Sequence, residues 1–226
     1  MNHRKVQRKV VIATPCQDQV SAGFALDLAQ LVGATALSDP TLELMVLHLR
    51  GTYLPQQRGT LAQKALDANA SHVLWIDSDM RFPKDALHRL LARKVPIVAA
   101  NYSTRRAPFL PTAEHRDKGH LFSDDAAAGL TDVSHAGMGL MLVSTDVFRA
   151  IEKPWFTLGY CRSDDGWVGE DVYFCRQAKA AGFPTLIDND LSHVVKHVGE
   201  MEYTNAHTVV TRTAWLTQDQ RAVHGA

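Results

Sequence analysis

Three stretches of this 226-residue sequence carry side chains that could do chemistry together. The first is Asp77-Ser78-Asp79, which ends the apolar run Val73-Leu74-Trp75-Ile76. A short run of β-branched and aromatic residues suits a strand buried on both faces of a parallel sheet. Carboxylates two residues apart point the same way if the backbone stays extended. Just beyond the C-terminal end of such a strand, they are placed to hold a hard divalent cation and, through it, a phosphate. The competing reading is a turn, or a helix cap at Asp79. The second stretch is Gly169-Glu170-Asp171, which opens a helical pattern. Acids in a first helical turn either stabilise the helix dipole or serve as a general base. The third holds His193 and His197, after the last strand. Their spacing would suit a zinc-protease helix, but that motif needs a glutamate where Val194 stands.

Smaller signals surround these. Gly137-Met138-Gly139 lets the backbone pass close to a ligand, or forms a plain turn. Arg105 and Arg106 sit in a polar loop, where they clamp phosphates, meet an acidic acceptor or stay solvated. Trp155 and Trp167 stack on a sugar or base, or fill the core. Cys16 has no base set beside it by motif and reads as a packed thiol. The three cysteines, Cys16, Cys161 and Cys175, are odd in number and far apart, so a reduced, intracellular, cytoplasmic protein is expected.

The elements that must position these residues follow from periodicity. Residues 9–14 (KVVIAT) form a first buried strand, followed by a helix over 20–32 with Phe24, Leu28 and Leu31 inward and Gly33 as its stop. A mixed-burial strand over 42–49 leads through a turn at 51–55 to a helix over 59–70. After the central strand, Pro83 starts a helix that runs to about 93, and 97–100 is another strand. Such alternation predicts an α/β fold with a mainly parallel sheet. The second half differs. Residues 101–111 form a polar loop, and 112–132 are irregular with short antiparallel strands. A strand over 140–143 and a short helix over 146–151 follow. Then come an aromatic segment over 154–167, a helix from 169 to 181 stopped by Gly182, and a last strand over 185–187.

The order of these motifs carries a resemblance. An opening strand with TPC precedes Arg58 and a helix ending in AL. LWIDSDMRFPKDAL, YSTRR, AGMGLMLVS, GEDVYFCRQAKAAGF and HVVKHVG follow. Over residues 9–199 the chain resembles a compact nucleotide-sugar glycosyltransferase of the A-type (GT-A) fold, like small phage or bacterial members. The resemblance implies a single Rossmann-like domain, with a nucleotide-binding half over 9–100 and an acceptor half over 101–199. A flexible N-terminus over 1–8 and a C-terminal extension over 200–226 flank it. It implies Mn²⁺ or Mg²⁺ and a UDP- or GDP-sugar as cofactors. Asp79 is then the first direct metal ligand and His197 a further one, with Asp77 at the ribose or reaching the metal through water. Thr14, Pro15, Asp18, Arg58, Asp77, Ser78 and Asp79 hold the nucleotide. Gly137, Met138, Gly139, Trp167 and Arg105 line the sugar and acceptor. The resemblance places one of the two acids at the acceptor hydroxyl: if the transfer inverts, Asp171 is the base and Glu170 binds acceptor hydroxyls.

Composition narrows the partners. With 24 acidic and 24 basic residues there is no large nucleic-acid footprint, although residues 3–9 and Arg105-Arg106 are locally basic. No apolar run is long enough to span a membrane. The acceptor hydroxyl stays open: a modified base in DNA, which would have to leave the stack, a glycan or a small molecule. Nucleotidyl transfer would call for more acidic ligands and a glycine-rich phosphate loop near the first strand. A non-catalytic nucleotide- or sugar-binding module is the remaining alternative, and Asp77, Asp79, Asp171 and His197 argue against it.

Overall fold

The computed structural model describes residues 8–105, 108–124, 126–161 and 166–199. The first half runs β1 (Arg8–Cys16), α1 (Ala22–Ser38), β2 (Leu42–Arg50), α2 (Leu54–Asp67), β3 (His72–Ile76), β4 (Met80–Arg81), α3 (Ala86–Ala92) and β5 (Ile97–Ala99). The second half continues with β6 (Glu114–His115), β7 (Gly119–His120), β8 (Leu130–Val133), β9 (Leu140–Ser144) and α4 (Thr145–Ala150). It ends in β10 (Gly159–Cys161), β11 (Gly166–Val168), α5 (Glu170–Ala180), β12 (Thr185–Asp188), α6 (Asn189–Ser192) and β13 (Lys196–His197). The segments expected over 1–7 and 200–226, and Arg106, lie outside the described residues. Arg8, expected in the loose N-terminus, is the first residue of β1.

Seven strands form one sheet in the order β2-β1-β3-β9-β5-β12-β8. β2, β1 and β3 are mutually parallel, as are β5 and β12. β9 lies antiparallel between β3 and β5, and β8 closes the edge antiparallel to β12. The mixed, mainly parallel α/β sheet expected from the sequence is therefore present, with small antiparallel ribbons added in the second half. Among the described residues no helix is long and apolar enough to cross a membrane.

Alternation along the strands divides the core. Val11, Ala13, Val73 and Trp75 pack on one face, beneath Leu61 and Ala65 of α2 and Phe174 of α5. Val10, Ile12, Leu74 and Ile76 pack on the other, against Phe24 and Leu31 of α1 and Leu87 and Leu90 of α3. On the first face Phe148 lies between Trp75 (6.5 Å), Trp155 (5.4 Å) and Phe174 (5.4 Å), ring centroid to centroid. This aromatic nest ties α4 and α5 to the central strand.

Three expected boundaries move. α1 passes through Gly33 to Ser38, because Phe24, Asp27, Leu31 and Thr35 keep one buried stripe across the glycine. α2 begins at Leu54 instead of 59, with Pro55 in its first turn where a missing N–H costs nothing. α3 begins at Ala86, three residues after Pro83, whose carbonyl accepts the Ala86 N–H. Cys16 and Cys175 are buried and free, as packed thiols.

Phe148→Ala should remove the centre of the aromatic nest and lower unfolding free energy by about 3–5 kcal/mol. Urea denaturation followed by tryptophan fluorescence measures this, and a loss below about 1 kcal/mol would show that the nest is not a cooperative part of the core.

Candidate functional site

The chemistry-bearing residues gather at the C-terminal ends of β1 and β3, around a cavity of about 380 Å³. Pro15, Asp77, Ser78, Asp79, Arg105 and His197 are among the residues lining it. The backbone between the two aspartates does not stay extended. Met80 N–H donates to the Asp77 carbonyl at 3.1 Å, closing a turn. That turn sends the carboxylates to different partners, so they do not form the parallel pair that an extended strand would give.

Asp77 meets Arg58. The Arg58 Nη2 group donates to Asp77 Oδ1 at 2.9 Å, and its Nε donates to Glu170 Oε1 at 3.2 Å. The Arg58 side chain is 2% exposed and lies 5.5 Å from the Trp75 ring centroid. Its Nη1 has no hydrogen-bond partner. Burial works against its charge, but Asp77, Glu170 and Asp171 together raise its pKa, so it stays a cation. The resemblance places Arg58 near a diphosphate or nucleobase. Instead, starting α2 at Leu54 puts it on the buried stripe of that helix, where it clamps two carboxylates of the protein itself.

Asp79, on the same cavity, has other partners. Its Oδ2 accepts from Arg105 Nη1 at 2.6 Å and lies 3.4 Å from His197 Nε2. β13 brings His197 there by pairing it with Met80, and Val198 N–H donates to the Asp79 carbonyl at 2.8 Å. The His197 Nδ1 lies 2.9 Å from the Ser103 carbonyl. A carbonyl can only accept, so Nδ1 carries a proton, while Nε2 faces the Asp79 carboxylate; burial opposes charge on the ring, yet these two contacts raise its pKa above that of an ordinary histidine. Burial opposes charge on Asp79, yet His197 and Arg105 outweigh it and hold the carboxyl below the usual range. Asp79 and His197, once its ring gives up the Nε2 proton, are donor types that would suit Mn²⁺ and, less well, Mg²⁺. Asp77, engaged by Arg58, is not part of that pair. Among the described residues no group of three or more His, Cys, Asp or Glu side chains is arranged around one point.

Glu170 and Asp171 open α5 behind Gly169. Glu170 is 9% exposed and bound to Arg58, whereas Asp171 accepts from its neighbour's N–H, Val172, at 2.7 Å. A Cβ on Gly169 would stand 2.6 Å from Asp171 Oδ1, so the glycine is what lets this carboxylate fold back. Burial pushes both carboxyls above their ordinary values, with Arg58 opposing it at each.

The remaining expected residues are spread out. Gly137 and Gly139 make room for Tyr102, whose hydroxyl accepts the Gly139 N–H at 2.8 Å; a Cβ on either glycine would fall 2.5 Å from that oxygen. The close approach they permit is to a tyrosine of the chain, not to an open ligand space. Met138 is 1% exposed and belongs to the core. Thr14 is buried with an unpartnered hydroxyl, beside a separate apolar cavity between α1 and β2. Asp18 points outward to Arg50 at 2.9 Å. Trp167 is 77% exposed on the β10–β11 hairpin, edge-to-face with Tyr160 at 5.6 Å. Trp155, buried with its Nε1–H on the Ile151 carbonyl, is core.

Two structural members of the site escape a motif search. Tyr102 packs 5.1 Å from His197 and supports it. Gln57 donates to the Cys16 and Leu49 carbonyls at 2.8 and 2.6 Å, fixing the start of α2 beside the ends of β1 and β2. A helix drawn from Pro55 would have placed Gln57 and Arg58 together on its inner face.

Arg58→Met should leave two carboxylates without their shared cation and lower stability by about 3–5 kcal/mol. Adding Asp77→Asn and Glu170→Gln to the same chain should restore part of that loss. Denaturant titrations of the single and triple variants test this; a triple variant no more stable than the single one would show that packing, and not stranded charge, sets the cost.

No protein-family model matches the chain, and no curated protein sequence matches it. Among solved structures, the fold is similar to A197 from STIV, with a TM-score of 0.50 at 15% identity over 86% of this chain and 98% of that one. S. aureus TarS 1–349 overlays with a TM-score of 0.48 at 10% identity, over 84% of this chain and 60% of that one. A glycosyltransferase involved in the glycosylation of the major capsid of PBCV-1 overlays with a TM-score of 0.35 at 15% identity, over 65% and 68%. At such identities the likeness to A197 is one of fold alone, and the fold agrees with the mixed, mainly parallel α/β sheet flanked by helices that the GT-A resemblance implies.

Proposed function

We propose that the protein is a metal-dependent glycosyltransferase that moves a sugar from a nucleotide-sugar donor to an acceptor hydroxyl. The observation that carries this reading is the Arg58 bridge, which joins the Asp77–Asp79 turn, on the wall of the Asp79 cavity, to the Glu170–Asp171 helix start. Charge neutralisation and proton removal are the two requirements of the reaction, and the bridge holds a candidate for each.

The donor diphosphate lies in the cavity beside Asp79, with Pro15 and Ser78 on its wall. Asp79 and His197 would hold the cation, which when bound neutralises the diphosphate as it leaves. Arg105, half-exposed on Asp79, is within the same cavity and can turn from that carboxylate to a phosphate. Asp171 accepts the proton of the acceptor hydroxyl as its oxygen attacks the sugar carbon. A carboxyl raised by burial suits this role, because a base closer in pKa to the working pH is stronger. Glu170, tied to Arg58, orients that helix end. Trp167 offers an exposed ring face four residues before Asp171 for the acceptor.

Kinetics test the base, and metal binding tests the cation site. Asp171→Asn should lower turnover by about a hundredfold or more while donor affinity stays the same; turnover within threefold of the parent would remove Asp171 as the base. In the parent enzyme kcat/KM should fall as pH drops through a pKa above that of an ordinary aspartate, since the base must be deprotonated to act. Arg105→Ala should tighten Mn²⁺ binding to the donor-free protein by about twofold to fivefold, the scale of one partly exposed ion pair. Calorimetry reads that change directly, and Asp79→Ala should abolish Mn²⁺ binding; retained binding would end the metal assignment.

A further inference from the structure

A groove of about 770 Å³ runs along the outer face of α2, about twice the volume of the cavity beside Asp79. Gln56, Thr60, Gln63 and Lys64 form one wall, the stripe of α2 opposite its buried face. The segment 153–157 forms the other, with Lys153 and Thr157 standing over Trp155 and Phe156. Lys153 spans the two walls. Its Nζ donates to Gln63 Oε1 at 2.6 Å and lies 4.6 Å from the Trp155 ring centroid. Half-exposed Tyr53 marks the end where α2 begins. At that end Leu54 and Gln57, on the next turn of chain, line the donor cavity. The opposite wall runs through Leu158 into the β10–β11 hairpin, which leads to Glu170-Asp171. The groove therefore adjoins the donor cavity at the start of α2, and its other wall leads into the Gly159–Val168 pair that precedes α5.

Its chemistry is distinctive. Side-chain amides, hydroxyls, a phenol and two ammonium groups line it, and no carboxylate does. Among the described residues neither Lys64 nor Lys153 forms an ion pair. Amides and hydroxyls that donate and accept suit a polyol, and lysines with no carboxylate partner, Lys153 being held only by Gln63 and the Trp155 ring, suit negative charge on it. A nucleic-acid strand would ask for open aromatic faces on which bases stack and for more cations. Here Tyr53 is the one half-exposed ring among the lining residues, Trp155 and Phe156 are 5% and 4% exposed, and the chain carries no net positive charge.

We propose that this groove is a remote acceptor subsite, which binds an acidic oligosaccharide whose far end reaches Asp171. The proposal takes its acceptor role from the transferase reading above, and the ligand chemistry from the groove alone. Calorimetry on the full chain, at fixed ionic strength, would compare hexagalacturonate, neutral maltohexaose and a single-stranded hexanucleotide. Hexagalacturonate should bind most tightly and weaken as salt is added. Lys64→Gln with Lys153→Met removes both charges and keeps the alkyl stem over Trp155; it should weaken hexagalacturonate about tenfold and leave nucleoside-diphosphate affinity unchanged. Absence of hexagalacturonate binding, binding that the double variant does not alter, or a hexanucleotide that binds as tightly through the same lysines would each overturn the subsite. Donor hydrolysis measured on the same preparation separates the two ideas. Hydrolysis without groove binding overturns the subsite alone, and groove binding without any donor hydrolysis keeps the ligand chemistry but overturns the transferase reading.

Discussion

A single guanidinium in the interior sets the geometry on which the site depends. Arg58 is almost fully buried, and an isolated cation there would be untenable. Asp77 and Glu170 make it tenable, and they come from chain segments 93 residues apart (positions 77 and 170). Such a triad is weak evidence for stability, because desolvation offsets most of the attraction. What it supplies is position. The turn after β3, the second turn of α2 and the first turn of α5 have one mutual arrangement in which both carboxylates reach the same guanidinium. Gln57, one residue earlier, locks the same helix to the ends of β1 and β2 through two carbonyls.

Sheet order brings those segments together. β9 enters the sheet between β3 and β5, running against both, so the chain re-enters the sheet centre from the opposite side. Its leading residues, Gly137 to Gly139, then lie against the loop that follows β5, and Tyr102 fills the gap. The same loop supplies the Ser103 carbonyl that orients His197 and the Arg105 side chain that reaches Asp79. The packing of a tyrosine against two glycines thus fixes the placement of an imidazole and a carboxylate.

The carboxylates divide into two electrostatic settings. Asp79 sits among cations and is held in its charged form. Asp171 and Glu170 are pushed towards protonation by burial, with Arg58 opposing. Groups whose surroundings drive their protonation apart can take different parts in one reaction, one holding charge and the other exchanging a proton. Two carboxylates equally exposed to water would lack that distinction.

The sequence by itself determined the element types and their order. Strands at β1, β3 and β12, and the helix opening at Glu170, follow from runs and repeats of apolar residues that depend only on local chain geometry. It also determined which carboxylates and histidine to examine, because a buried strand ending in Asp-x-Asp is a local pattern. Tertiary structure decided what those residues do. The turn that splits Asp77 from Asp79 depends on the residue just before the neighbouring strand β9, Gly139, whose carbonyl accepts the Asp77 N–H. The early start of α2 rests on Gln57 finding two carbonyls from other strands. Arg58 reads as a nucleotide-binding cation from the resemblance, and only the convergence of two distant acids makes its burial possible. The glycine pair reads as space for a ligand, and only the packed chain shows that Tyr102 takes that space. Periodicity reports which face of an element turns inward, whereas a partner far away in sequence is set by the close packing of the whole molecule.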